Sequence, residues 1–178
     1  MKKNKILWVM LFALCSIFAN CKKDQPIPEE QLPPETQTGA FTFGCKVDGK
    51  IYTAKGRGGL LAGQHVTYGY YIDSTIIIDI GNTDSKFNVQ IVLKYLGSLG
   101  IYTLNSLQNR GEFYDNSNGS IPGSSNTYTT DNVNTGNINI KYFNPVVGSI
   151  LAGTFEMNAS NGSGKIIHIT EGRFDIGQ

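Results

Sequence analysis

Residues 151–176 read LAGTFEMNASNGSGKIIHITEGRFDI, and their residue pattern indicates the fold class. Apolar and polar residues alternate on both sides of the turn sequence NGSG at 161–164. Period-two alternation around a Gly-rich turn is the pattern of two antiparallel strands joined as a hairpin. We therefore predict paired strands at 152–159 and 165–176.

The second of these strands cannot be regular along its whole length. Ile167 and Ile169 share one face, but Phe174 and Ile176 have the opposite parity. Because successive side chains of a strand point to opposite faces, regular pairing would leave one of these pairs in solvent. A β-bulge at Glu171-Gly172 adds the residue that returns both pairs to the core.

The same alternation continues outward from this hairpin as far back as residue 40. Asp48-Gly49 separates two alternating runs and predicts a tight hairpin, because both turn positions favour positive φ. The polar stretch 115–136 predicts long loops around a short strand at Thr127–Thr130, and a single helical turn fits near Ser106–Arg110. Further alternating runs lie at 66–72, 76–80, 87–95 and 138–142.

Many short strands separated by turn signals predict an all-β fold. We expect an antiparallel β-sandwich or flattened β-barrel of about nine or ten strands, forming a single domain over residues 40–178. Charged residues make up 16% of the chain and the formal net charge is +1. These values exclude a basic nucleic-acid-binding protein and a chain kept disordered by its charge.

The first 20 residues have the character of a secretory signal peptide. A short basic region at 2–5 precedes the apolar run from Ile6 to Ala19, which is too short to span a membrane. The sequence FANC that ends at Cys21 resembles a bacterial lipobox, although Asn20 departs from the usual small residue. This resemblance predicts cleavage before Cys21, a diacylglycerol thioether on its thiol, an amide-linked acyl chain such as palmitate on its amino group, and a cell-envelope lipoprotein.

Residues 21–39 read as a tether between that lipid and the domain. They hold four of the six prolines and almost no large apolar residues, so burial cannot offset the entropy of ordering them. We expect a lipid-anchored, flexible segment. The lipid makes the membrane a partner, with the domain facing the periplasm or the cell surface from an outer-membrane attachment.

Four motifs together resemble one family. They are GAFTFGCKVDGKIYTA at 39–54, GIYTLN at 100–105, TGNINIKYF at 135–143 and the C-terminal GTF…TEGRFDI. The pattern is similar to uncharacterised lipoproteins of Bacteroidota that carry a domain of unknown function. The resemblance implies an all-β lipoprotein domain and supplies no catalytic residues.

The sequence nominates no catalytic centre, metal site or cofactor. Cys45 shares a strand face with apolar residues and is predicted to be a buried thiol, while His65 and His168 lack the spacing of metal ligands. We therefore expect a non-enzymatic binding or structural protein whose partner is an envelope protein or a glycan. A hydrolase that uses two of the scattered carboxylates stays a less favoured alternative.

Tyrosines near strand ends are the candidate binding residues. An exposed ring can stack on a sugar while its hydroxyl forms a hydrogen bond, and this favours a glycan-binding module as the alternative function. The alternative is that these rings fill the core or its rim. The candidates are Tyr68, Tyr70 and Tyr71.

Overall fold

The computed structural model describes residues 31–57, 63–70, 74–82, 86–94, 96–105, 108–117, 126–144 and 149–177. The predictions on the signal peptide, on Cys21 and on Tyr71 lie outside these residues. The described part of the chain forms eleven strands and contains no helix. The strands are β1 (Thr42–Val47), β2 (Lys50–Lys55), β3 (Gln64–Tyr70), β4 (Ile76–Asn82), β5 (Phe87–Leu93), β6 (Gly100–Leu104), β7 (Asn109–Asp115), β8 (Thr127–Thr129), β9 (Gly136–Phe143), β10 (Leu151–Ser160) and β11 (Ile166–Ile176).

All described strand pairs are antiparallel and belong to one sheet. The order is β2–β1–β11–β10–β8–β7–β5–β4–β3, with β9 beside β10 and β6 on the far side of β9. The two ends of this order approach each other, because the Val66 amide in β3 donates to the Gly56 carbonyl after β2 at 3.1 Å. The sheet is thus a nearly closed, flattened barrel, and the predicted all-β class is confirmed.

The core is built by period-two alternation on the strands. Inward side chains from both halves of the sheet meet in one apolar cluster, in which Phe43 stacks on Phe155 with ring centroids 5.8 Å apart. The predicted thiol Cys45 is buried in this cluster, and burial raises its pKa to about 12. The prediction that Cys45 is a buried core residue is therefore confirmed.

The two predicted hairpins have the expected geometry. Asp48 and Gly49 adopt φ values of 49° and 84°, and Val47 pairs with Lys50 across the two-residue turn. At the β10–β11 turn, the Gly164 amide donates to the Asn161 carbonyl at 2.9 Å. Positive φ at both central positions is what the two-residue turn at Asp48-Gly49 requires.

The predicted bulge in β11 is also confirmed. Phe155 of β10 lies opposite Gly172, whereas Met157, two residues later, lies opposite Ile169. Two residues of β11, Thr170 and Glu171, therefore face a single residue of β10, and Glu171 takes a φ of 52°. The four apolar side chains on the two sides of the bulge, those of Ile167, Ile169, Phe174 and Ile176, are all buried.

A second bulge lies in β9, where the residue pattern does not predict one. Tyr142 pairs with Ala152 and Ile140 pairs with Gly153, so Lys141 between them has no residue opposite. An unpaired additional residue bends its strand and turns its side chain away from the regular pattern. Lys141 is exposed on the outer face of the sheet.

Two strands were missed by the pattern analysis. Strand β6 buries only Leu104 fully among its five residues, and β7 alternates through Gly111, which has no side chain to mark the inner face. The single helical turn expected near Ser106–Arg110 is wrong for Asn109 and Arg110, which begin β7 and pair with β5. Pairing with neighbouring strands decided the conformation at these positions, and local composition did not.

The bulge predicts a specific cost for adding a side chain at Gly172. A Cβ there would lie 2.5 Å from the Phe155 ring and 2.6 Å from the Phe155 carbonyl oxygen, so the backbone must shift. We expect Gly172→Ala to lower the free energy of unfolding by about 2–4 kcal/mol in urea titrations. Gly162→Ala, in the exposed hairpin turn, is the matched control and should change it by less than about 1 kcal/mol. A loss at Gly172 no larger than at Gly162 would contradict the observed packing.

Candidate binding groove

An open groove of about 500 Å³ crosses the outer face of β6, β9, β10 and β11. Residues 32–39, which precede β1, are called the strap below, and Glu35 of the strap lines the groove. The groove, called the outer groove below, is lined by side chains of Glu35, Ile101, Asn137, Asn139, Lys141, Thr154, Glu156, Glu171 and Arg173.

Strand register places these side chains in rows. Thr154 in the middle strand β10 lies opposite Asn139 of β9 and opposite Arg173 of β11. Ile101 of β6 continues this row because it pairs with Asn139. Residues directly opposite each other point to the same face of a sheet, so a hydroxyl, an amide and a guanidinium line one floor. Ile101, 71% exposed, is the apolar end of the row.

The second row contains a carboxylate without a counter-ion among the described residues. Glu156 is exposed on β10 opposite Asn137, and its side chain forms no ion pair or hydrogen bond with the described residues. Beside it on β11 the bulge presents Glu171, and Lys141 is the bulged residue of β9. Both irregularities of this sheet region therefore border the outer groove, where bulges characteristically redirect side chains.

The other charges of the outer groove are paired. Glu171 lies 2.5 Å from the Lys46 ammonium and 3.7 Å from the Arg173 guanidinium. Glu35 of the strap pairs with Lys141, whose hydrogen bond holds the pKa of the Glu35 carboxyl below its usual value. A general acid must keep its proton near neutral pH, so this pairing disfavours Glu35 in that role.

The strap is fastened to β11 by one buried carboxylate. Asp175 is 1% exposed and accepts hydrogen bonds from the Thr36 hydroxyl at 2.6 Å and the Thr38 amide at 2.9 Å. The Thr38 hydroxyl donates at 3.2 Å and the Gly39 amide at 2.8 Å. Burial alone would raise the pKa of Asp175, but the hydrogen bonds outweigh it and the pKa is lowered.

The other end of the strap packs on a glycine. A Cβ on Gly44 of β1 would lie 2.5 Å from the Pro33 ring and 3.0 Å from Leu32, so the missing side chain makes room for the strap. Arg173 also donates to the Pro33 carbonyl at 3.4 Å. Residues 31–39 of the predicted tether are thus seated on the sheet. The prediction of a flexible tether stays a prediction for residues 21–30, which the structure does not describe.

The predicted tyrosine site is not formed at Tyr68. This side chain is 7% exposed and its ring meets Phe143 edge-on, with centroids 6.4 Å apart. Burial raises the pKa of its hydroxyl. Tyr68 therefore cannot stack on a sugar, and the reason is that it lies on the inward-facing side of β3. The backbone of Tyr70 belongs to β3, whereas its side chain and all of Tyr71 lie outside the description.

Other candidate chemistry is dispersed. His65 contacts Asp79 at 3.4 Å and His168 contacts Asn158 at 2.7 Å, on different strands. Among the described side chains, no three of His, Cys, Asp or Glu are grouped to hold a metal ion. No helix that could cross a membrane occurs in the described ranges. No sequence motif marks the outer groove, because more than a hundred residues separate its carboxylates Glu35 and Glu156 along the chain.

The strap carboxylate predicts an acid-sensitive contribution to stability. Because the pKa of Asp175 is lower in the folded protein than its ordinary value of 3.8, the unfolded chain binds the proton more readily. The contribution is present above about pH 4 and is lost as the pH falls toward the lowered value. We expect the free energy of unfolding to fall over this range in the wild type and to fall less steeply in Thr36→Val/Thr38→Val.

Urea unfolding at a series of pH values between about 2.5 and 6 measures this difference. Thr103→Val, on exposed β6, is the control and should retain the wild-type slope. Equal slopes for all three proteins would show that Asp175 does not hold the strap through its charge.

Comparisons of the chain with family models, with curated proteins and with solved structures gave no match. The likeness to lipoproteins of Bacteroidota consequently stays a prediction carried by the four sequence motifs.

Proposed function

We propose that this protein is a cell-envelope lipoprotein, anchored through acylated Cys21, whose β-domain binds a polar ligand in the outer groove without catalysing a reaction. The support for the anchor is the signal-peptide and lipobox pattern that ends at Cys21. The support for binding is the groove itself. The proposed site of attachment is the outer membrane, with the domain on its periplasmic or external side.

The single observation that carries the binding role is the organisation of the groove around Glu156. Its neighbours Glu35 and Glu171 are held in ion pairs, whereas Glu156 is free of partners among the described residues. Thr154 and Asn139 lie beside it with hydroxyl and amide groups. Fixed ion pairs around free donors and acceptors suit recognition of a ligand by hydrogen bonds.

The ion pairs also weigh against the carboxylate-based hydrolase. Such an enzyme needs one carboxyl group that stays protonated and a second that is ionised. In the outer groove, Lys141 stabilises the ionised form of Glu35, and two cations contact Glu171. Neither Glu35 nor Glu171 is therefore suited to act as the general acid beside Glu156.

A glycan is the second candidate ligand, and the lining of the groove favours it over an apolar molecule. Amides, a hydroxyl and a carboxylate are the groups that bind sugar hydroxyls, and Asn137, Asn139, Thr154 and Glu156 supply them. This version replaces the tyrosine-stacking site, because Tyr68 is buried. An envelope peptide with amide and basic groups would satisfy the same side chains.

Binding in the groove is tested by one pair of matched variants. Arrays of oligosaccharides and of extended peptides are probed with the folded wild-type protein, and dissociation constants are then measured for each positive ligand. We expect Asn139→Ala to weaken binding about tenfold, the equivalent of about 1.4 kcal/mol for lost hydrogen bonds. Asn132→Ala, exposed in the loop after β8, should leave affinity unchanged. Equal affinities for both variants would place the ligand elsewhere, and no signal on either array would contradict the proposal.

Lipid attachment is tested separately in a bacterial host. Metabolic labelling with a fatty-acid probe should mark the wild-type chain and place it in the membrane fraction, because two or more acyl chains anchor stably. Cys21→Ala should carry no label and leave that fraction. Cys45→Ala is the matched control. Cys45 is buried in the core, so the Cys45→Ala chain should keep its label. A labelled Cys21→Ala chain would refute the assignment.

A further inference from the structure

The strap is bound to the domain at both of its ends. Residues 36–39 place four donor groups on the carboxylate of Asp175, and residues 32–33 fill the space above Gly44. Between these points Glu35 pairs with Lys141. Three separate parts of a short segment thus contact three different strands, β1, β9 and β11.

The strongest of these contacts depends on ionised Asp175. Its two oxygens accept from two main-chain amides and two hydroxyls, and hydrogen bonds to a charged group are stronger than those between neutral groups. The two amides fix the backbone path of Thr38 and Gly39. If the strap left the sheet, Asp175 would lose all four of these donors.

The position of the strap changes the length of chain available to an anchor. Residues 22–39 would reach about 56 Å as an extended Pro-rich spacer, at about 3.1 Å per residue. With the strap seated, the spacer would be residues 22–31, and an extended Pro-rich segment of that length would reach about 31 Å at the same rise. The seated strap thereby removes nearly half of the reach.

We infer that the strap is a latch. While it is seated on the sheet, it shortens the membrane tether, and the tether then joins the domain beside the outer groove. This inference rests on the proposed lipid anchor at Cys21. Because Glu35 of the strap lines the groove, the point where the tether meets the domain lies at the edge of the binding site. Seating of the strap holds that site close to the anchoring membrane, and release of the strap extends its range.

The experiment uses the full mature chain, acylated and reconstituted in phosphatidylethanolamine–phosphatidylglycerol vesicles. Ser163→Cys, in the exposed β10–β11 turn, accepts a donor dye, and headgroup-labelled lipids are the acceptors. Thr36→Val/Thr38→Val removes two hydroxyl donors to Asp175, and Thr103→Val is the matched control on exposed β6. Hydrogen exchange at the Thr38 and Gly39 amides reports seating, and energy transfer reports the distance from the bilayer.

We expect the wild type and Thr103→Val to exchange these two amides at least tenfold more slowly than a synthetic peptide of residues 31–40. The double variant should exchange at least tenfold faster than the wild type and show lower energy transfer. Slow exchange of core amides in β5 checks that each variant is folded. Should the double variant fail this check, Glu35→Gln, which breaks the ion pair with Lys141, replaces it and should shift both readouts in the same direction.

Two results would overturn the inference. Wild-type strap amides that exchange as fast as those of the free peptide would show that the strap is not seated. Freed amides with unchanged energy transfer would show that seating does not set the reach. The exchange measurement is repeated on Cys21→Ala in solution, so failure of acylation contradicts the proposed anchor without deciding whether the strap is seated.

Discussion

The additional residue in β11 determines which side chains of this strand face the core. Before it, Ile167 and Ile169 face the core, and after it Phe174 and Ile176 do so. The change of parity also decides what lies on the outside. With regular pairing, Arg173 and Asp175, which alternate with Phe174 and Ile176, would face inward. Their guanidinium and carboxylate groups would then enter an apolar core at a cost of several kcal/mol each.

The outer features follow from this one irregularity. Arg173 and Asp175 reach the outer face, where Arg173 lines the groove and Asp175 binds the strap. The bulge itself presents Glu171 to Lys46. The same outer face of the sheet therefore supports both the candidate binding site and the attachment of the N-terminal segment, and the ion pair between Glu35 and Lys141 belongs to both.

The fold class and the bulge could be predicted because both are local. Alternation over a few residues identifies a strand, and the parity of Phe174 against Ile169 requires an added residue wherever the strand pairs. The strands β6 and β7 could not be found in this way. Strand β6 buries only Leu104, and one apolar residue makes no alternating pattern. On the inner face of β7, Gly111 has no side chain that would reveal the alternation.

The candidate site could not be predicted because it is assembled by pairing between distant segments. Glu35, Asn139 and Glu156 have no common motif, and their neighbourhood appears only when β9, β10 and β11 are in register. The seated strap was missed for a related reason. Its composition is that of a disordered spacer, and its order comes from Asp175, which lies more than 130 residues away in sequence. The expectation for Tyr68 failed because an aromatic residue near a strand end serves the core as readily as the surface.

The register of the β10–β11 pair in solution is measured by cross-strand nuclear Overhauser effects between backbone protons, and it tests the bulge directly. The bulge predicts contacts of Phe155 with Gly172 and of Met157 with Ile169. Contacts of Phe155 with Gly172 and of Met157 with Thr170 would instead show regular pairing. That result would remove the bulge and, with it, the basis for the outer positions of Arg173 and Asp175.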